Sequence, residues 1–358
     1  MKRGAPVAVF HLMSRHRITE PGKAPMVSHV IDTVDFHTAG EPFRIVESVP
    51  IPLRGDTVAQ RRAFAQQSSE AEDLRRFLCH EPRGHADMYG AFVVPPDDDG
   101  AHFGVVFWHK DGYSTACGHG TIALGRWAVE SGRVPSDPSG ITEVVIDVPS
   151  GRVVARVHGE GQRVDAVDFV NVPSWHVVTT AVTTRHGEFA VHLGYGGAFY
   201  AQIDVASTGC AIAGEDLPRL IDIAREVRDD LDARGLSRHH DPLLSGVYGT
   251  IFFERFSADS AQIHERNVTV FADGEVDRSP CGSGTAARVA TLHALSDFPG
   301  TRILKNDSIS GGTFLAHVDH VFDDGAVVPV VRGSAYPTGR HSFVKDERDS
   351  LLPGFLLR

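Results

Sequence analysis

TACGHGTIAL, residues 115–124, sets a cysteine directly before Gly-His-Gly and at the head of an apolar run with helical character. SPCGSGTAAR, residues 279–288, repeats the skeleton Cys-Gly-x-Gly-Thr-x-Ala, again where an apolar helix opens. Either copy alone is a weak signal, because Gly-x-Gly before a helix is common and a cysteine beside it is usually a small buried hydrophobe. One copy in each half of the chain reads as an internal duplication, with two helix N-termini facing each other at a domain interface.

That arrangement has a chemistry. A helix N-terminus carries unpaired N–H groups and a partial positive charge, so two such ends can hold a carboxylate between them, with the glycines allowing close approach of the backbone. The same field is expected to lower the thiol pKa of Cys117 and Cys281 from about 8.5 toward neutrality. One thiol on each face of a bound amino acid is what inversion requires: one removes the α-proton and the other returns one. Hydrogen bonds from both helix ends would stabilise the charge that deprotonation develops. No pyridoxal-phosphate lysine motif is needed, and no cofactor is expected. No metal is expected either, since His119 next to Cys117 has no HExxH or CxxC companion.

The rest of the chain frames this reading. With 358 residues, 42% of them hydrophobic, the chain can bury two cores, and two domains of roughly 150 residues are expected. Candidate strands cover 44–51, 91–95, 103–108, 143–148 and 152–157 in the first half, and 188–193, 198–205, 247–253 and 267–272 in the second. Helices are sparser: 57–78, 215–235 and the runs after the two cysteines. A change of rhythm near 165–175 marks the domain boundary. Net charge of −11 and a pI near 6.0 exclude the basic stripe of a nucleic-acid binder. No run approaches the roughly 20 apolar residues of a membrane span, and MKRGAPVAVFHLMSRHR, interrupted by His11, does not read as a signal peptide. A cytoplasmic protein is expected, with no membrane partner. The four cysteines (79, 117, 210, 281) are spaced as free thiols, and Cys79 and Cys210 read as structural. His37 and Glu41 read as turn and scaffold residues near the cleft, Arg83 and His85 as braces of a loop, and SRHHDP (237–242) as a solvated loop.

DFHTAGEPFRIV (35–46), EPRGHADMYGAF (81–92), ACGHGTIAL (116–124), GGAFYAQID (196–204), DRSPCGSGTAAR (277–288) and GSAYPTGRHSFVKDERD (333–349) together resemble the proline racemase family, over nearly everything after about Val30. The resemblance implies an α/β chain of two pseudo-symmetric diaminopimelate epimerase-like domains, each a curved mixed sheet around a central helix. The domains are placed at 30–168 and 169–340, with the tail 341–358 returning to the first and residues 1–29 as a disordered extension. It implies Cys117 and Cys281 as acid and base, backbone amides of Gly118, His119, Gly282 and Ser283 on the substrate carboxylate, and Asp277 on the ring amine. The implied partner is a small imino acid, with a homodimer as an admissible assembly. Ala116 stands where the family usually has methionine, which enlarges one wall of the pocket.

Two reactions compete. HTAGEP, EPRGHADMYG and ALGRWAVESGRVP resemble the trans-3-hydroxyproline dehydratase branch, whereas dehydratases usually carry threonine where this chain has Cys281. The cysteine pair favours epimerisation of proline or 4-hydroxyproline, and the site is weighted above the scaffold. A non-catalytic anion-binding module and a thiol redox pair are the remaining alternatives.

Overall fold

The computed structural model describes residues 29–295, 298 and 302–357. The expected N-terminal extension therefore lies outside the described residues except for its last position.

In the first half, β1 (His29–Thr38), β2 (Glu41–Val46), α1 (Val58–Ala65), α2 (Ser69–Cys79), β3 (Tyr89–Val94), β4 (Phe103–His109), α3 (Gly118–Glu130), β5 (Ile141–Val148), β6 (Gly151–Glu160) and β7 (Arg163–Val170) follow one another. The single helix expected over 57–78 is two. Thr57 closes a capping box with Gln60 at the head of α1, and Ser68 accepts the Ala71 N–H at the head of α2, so the chain restarts its helix in a new direction. The strand expected to run to residue 51 stops at Val46, before the prolines at 50 and 52 remove two ladder donors.

The second half runs β8 (Trp175–Thr184), β9 (Gly187–Tyr195), β10 (Phe199–Asp204), α4 (Leu217–Ala233), β11 (Val247–Ala258), β12 (Gln262–Phe271), β13 (Glu275–Asp277), α5 (Gly282–Ala294), β14 (Ile303–Ser308), β15 (Thr313–Val321) and β16 (Val327–Gly333), after which comes β17 (Ala335–Lys345). Hydrogen-bonded neighbours trace one path: β17, β1, β2, β3, β4, β5, β6, β7, then β16, β15, β14, β12, β11, β10, β9, β8, with β13 added to β12.

The two arms of that path share one topology. In each, a parallel step is bridged by helix (β2–β3 by α1 and α2, β10–β11 by α4), and a second parallel step by the helix that follows a cysteine (β4–β5 by α3, β12–β14 by α5), as parallel neighbours require a crossover. The outermost place of the second arm is taken by β8. In the first arm it is taken by β17, which arrives from the far end of the chain to pair with β1.

Each arm wraps one central helix. Almost every residue of α3 and of α5 is buried, which is the pattern of a helix enclosed on all sides rather than laid on a surface. The charge this encloses is paired: Arg288 on α5 meets Glu265 at 2.8 Å. The SRHHDP loop is partly solvated but not free, because His239 stacks on Tyr195 at 5.1 Å and Ser237 is buried. Arg83 does brace: it donates to the carbonyls of Phe77 and Pro353. No helix among the described residues is long and apolar enough to cross a membrane.

Candidate active site

The wrapping brings the N-termini of α3 and α5 together end to end. A methyl group built on Gly118 would stand 2.5 Å from Gly282 Cα and 2.7 Å from Ser283 N, and one on Gly282 would stand 2.6 Å from Gly118 Cα. Only glycine permits this approach. The N–H groups of Gly118, His119, Gly282 and Ser283 belong to first turns, whose donors find no acceptor within their own helix. Cys117, Gly118, His119, Asp277, Cys281, Gly282 and Ser283 all line one small cavity, together with Tyr89, Ala116, Tyr200, Tyr248 and Phe271. A larger cleft between the halves adjoins it, sharing Tyr248.

Cys117 and Cys281 are the N-cap residues of α3 and α5. Cys117 Sγ accepts the Gly120 N–H at 3.2 Å and lies 3.6 Å from the His119 ring nitrogens. Cys281 Sγ lies 3.8 Å from Tyr200 Oη, whose hydroxyl is hydrogen-bonded to Ser283 Oγ at 2.7 Å. Cys281 is also held at φ +60°, a conformation that costs an L-residue on the order of 1–3 kcal/mol and is found where a site over-determines it.

The thiols are not near neutrality, as the helix field alone would have them. Cys117 and Cys281 are only 4% and 6% exposed, and burial pushes both thiols well above their ordinary range, reinforced by the nearby Asp277 carboxyl and opposed only in part by the helix N–H groups. Desolvation outweighs the helix field here. Burial likewise raises Asp277 to about 6, although its Oδ1 accepts the Ser279 N–H at 2.7 Å. It lowers His119 to about 3, leaving a neutral ring packed edge-on against Tyr89 and Phe43. The hydroxyls of Tyr89, Tyr200 and Tyr248 are raised by burial as well, so they stay protonated and can donate.

Sequence reasoning passed over several residues. The three tyrosines lie in strands β3, β10 and β11, where an aromatic residue reads as core. Glu41 reads as a hairpin residue, yet it is 0% exposed, its Oε2 accepts the Arg278 N–H at 2.8 Å, and its Oε1 has no hydrogen-bond partner among the described residues. Burial raises its carboxyl, with Asp277 adding to the effect. His37 does serve the turn, accepting the Gly40 N–H. Cys79 is buried and donates to the Met88 carbonyl; Cys210 is half-buried, and all four cysteines are free thiols.

Among the described residues, one group has metal-ligand spacing, His109, Asp111 and Glu275, and His119 and Cys117 are not in it. Lys110 Nζ stands 2.5 Å from Asp111 and 4.0 Å from Glu275, so an ammonium already serves that group as its cation.

The family model for proline racemase matches residues 33–356. The chain is 39% identical over 340 residues, covering 92% of its length and 99% of the relative's, to the trans-3-hydroxy-L-proline dehydratase of Bacillus thuringiensis subsp. konkukian. It is 41% identical over 338 residues, covering 93% and 99%, to the 3-hydroxyproline 2-epimerase of Burkholderia multivorans. The crystal structure of a hydroxyproline epimerase from Agrobacterium vitis with bound trans-4-OH-L-proline superposes with a TM-score of 0.82 at 28% identity, covering 92% of this chain and 96% of that one. The mixed α/β architecture is thus the diaminopimelate epimerase-like one that the motifs implied. With a duplicated Cys-Gly-x-Gly device at two abutting helix ends and relatives of this kind along nearly its whole length, the chain belongs to the proline racemase family.

Proposed function

We propose that the protein is a cofactor-independent hydroxyproline 2-epimerase, with trans-4-hydroxyproline as first substrate and Cys117 and Cys281 as its acid–base pair. The observation that carries the reading is the pair of thiols, one from each half of the fold, lining a single cavity at the junction of two helix N-termini. In this mechanism the substrate carboxylate lies on the amides of Gly118, His119, Gly282 and Ser283, and Asp277 receives the ring ammonium. Burial alone keeps both cysteines protonated, and the ring ammonium entering beside them favours the charged form of one, which as thiolate takes the α-proton. The opposite thiol protonates the planar carbanion from the other face, and the two exchange roles in the reverse direction. The helix-end amides stabilise the charge that moves onto the carboxylate.

A second reading is trans-3-hydroxy-L-proline dehydratase, favoured by the names of relatives at about 39% identity. It needs one base and a leaving hydroxyl on the adjacent carbon. Proton NMR in D₂O on proline and on the trans-3- and trans-4-hydroxyprolines separates the two. Epimerisation exchanges the α-proton, inverts the centre and keeps the ring saturated, and this is the expected outcome with trans-4-hydroxyproline. Rapid cyclic-imine formation from trans-3-hydroxyproline, with no α-exchange in the other rings, would replace the epimerase by the dehydratase.

The acid side of the pH profile tests the ammonium subsite. With Asp277 at about 6, it is a carboxylate above that pH and neutral below it. The logarithm of kcat/KM should therefore fall with a slope near one as pH drops below about 6. Asp277→Asn should lose this limb and be slower at pH 8 by roughly 10- to 100-fold, the worth of one hydrogen bond to a charged group. An unchanged acid limb in Asp277→Asn would assign the titration elsewhere.

A further inference from the structure

Residues 275–278 run from β13 toward Cys281 and carry Asp277. By chain they belong to the second half, where β13 pairs with the end of β12. Second-half partners hold part of the segment, with Ser310 Oγ donating to the Arg278 carbonyl at 2.6 Å and Ser279 N–H to Asp277 Oδ1, but several of its polar groups are held from the first half. His109 Nδ1 lies 2.8 Å from Glu275 Oε1. Asp87 accepts the Val276 N–H at 3.3 Å on Oδ1 and Arg278 Nη2 at 2.8 Å on Oδ2. Glu41 Oε2 accepts the Arg278 N–H at 2.8 Å. Arg278 is thus held at its backbone N–H by Glu41 of β2 and at its guanidinium by Asp87 of the segment before β3, and Asp277 lies between two residues held from the first half, Val276 and Arg278.

We propose that Glu41 and Asp87 are positioning residues for the ring-ammonium subsite: by holding the two ends of Arg278 they register Asp277, a second-half residue, against the first-half thiol Cys117. The inference rests on the functional reading above, in which Asp277 meets the ammonium. Its physical content is local. Cys117 sits on α3 in one arm and Asp277 in the other, so the distance between base and ammonium anchor is set by contacts across the junction. Asp87 also occupies the guanidinium. Without it, Arg278 has Asp277 and Glu41 as neighbouring carboxylates, and a guanidinium turned onto Asp277 competes with the substrate's ammonium. The carboxylate cradle is built separately, from the abutting helix ends, and does not pass through Arg278. Ammonium and carboxylate recognition are therefore separable.

The experiment compares two ligands in the full-length protein. Trans-4-hydroxyproline carries both groups, whereas pyrrole-2-carboxylate is a planar ring acid whose nitrogen is neutral, so it uses the cradle without the ammonium. In Asp87→Asn and Glu41→Ala, KM for hydroxyproline should rise roughly tenfold, with kcat changed less than about threefold and the calorimetric Kd of pyrrole-2-carboxylate within about twofold. Glu41→Gln retains an oxygen that accepts the Arg278 N–H and should return KM to within about threefold of the unaltered protein. Should Glu41→Ala not fold, Asp87→Asn carries the comparison. Equal weakening of both ligands would mean that these residues only hold the junction together, and an unchanged KM would mean that Asp277 is registered without them; either overturns the proposal. An unaltered protein that neither turns over nor binds an imino acid, while pyrrole-2-carboxylate binds, would overturn the functional reading first and this inference with it.

Discussion

Cys117→Ser and Cys281→Ser are each expected to reduce inversion of the α-carbon by roughly 10²–10⁴-fold, the usual contribution of a positioned general acid or base. A serine hydroxyl fits the space of the thiol but does not ionise in the working pH range, so one face of the substrate loses its proton carrier. A serine hydroxyl can take over the cap bond that Cys117 makes to the Gly120 N–H, and Cys281 makes no such bond to lose, so the fold should survive, as circular dichroism would verify. Polarimetry reads the inversion, and NMR in D₂O adds a sharper feature: any residual α-exchange should be confined to one enantiomer, and to the opposite one in the other variant. Full inversion by either folded variant would end the two-thiol mechanism.

Gly118→Ala and Gly282→Ala are expected to be nearly as damaging, though neither alters a thiol. Each adds a methyl group 2.5–2.6 Å from the Cα of the glycine across the junction, a contact with backbone that no rotamer change relieves. The helix ends must part, and with them the amides proposed to hold the carboxylate and the spacing of the thiols. Overpacking of this kind costs roughly 1–3 kcal/mol, visible as a lower Tm. The larger effect should be on kcat/KM, at least roughly 100-fold, since a displacement on the order of 1 Å in a positioned site carries that penalty. Gly214→Ala is the control, because a methyl group there meets nothing within 4 Å. Unaltered turnover in both junction variants would show that the helix ends do not have to abut for catalysis.

Much of this site is local in sequence. The duplicated Cys-Gly-x-Gly segments, the helices they open and Asp277 four residues before Cys281 are short-range patterns, and the seven residues they nominate do line one cavity. Strands β2–β6 and β9–β12 are likewise legible from Val- and Ile-rich runs between Gly, Pro and Asp, whereas β1, β7 and β8 lie outside those runs. What could not be read is whatever depends on contacts between distant segments. The helix expected over 57–78 breaks because a second cap inside it, Ser68, starts α2 afresh. Tyr89, Tyr200 and Tyr248 come from three separate strands, and only the closing of the two arms turns them into a wall. Glu41 looks like a turn residue because its partner, the Arg278 N–H, lies in the other half.

The cysteine pair shows the division most plainly. Its presence, its glycines and its position at two helix N-termini follow from the order of residues alone, because a helix end and its orphan N–H groups are local objects. The protonation of the thiols does not. A helix field acting on an exposed cysteine would lower its pKa, but the strands that enclose α3 and α5, with β17 returning to flank β1, remove the water, and the desolvation of a buried thiolate exceeds what the N–H groups return. Burial is a property of the whole enclosure and is written in no single segment; it is decided only when the two arms close around their helices.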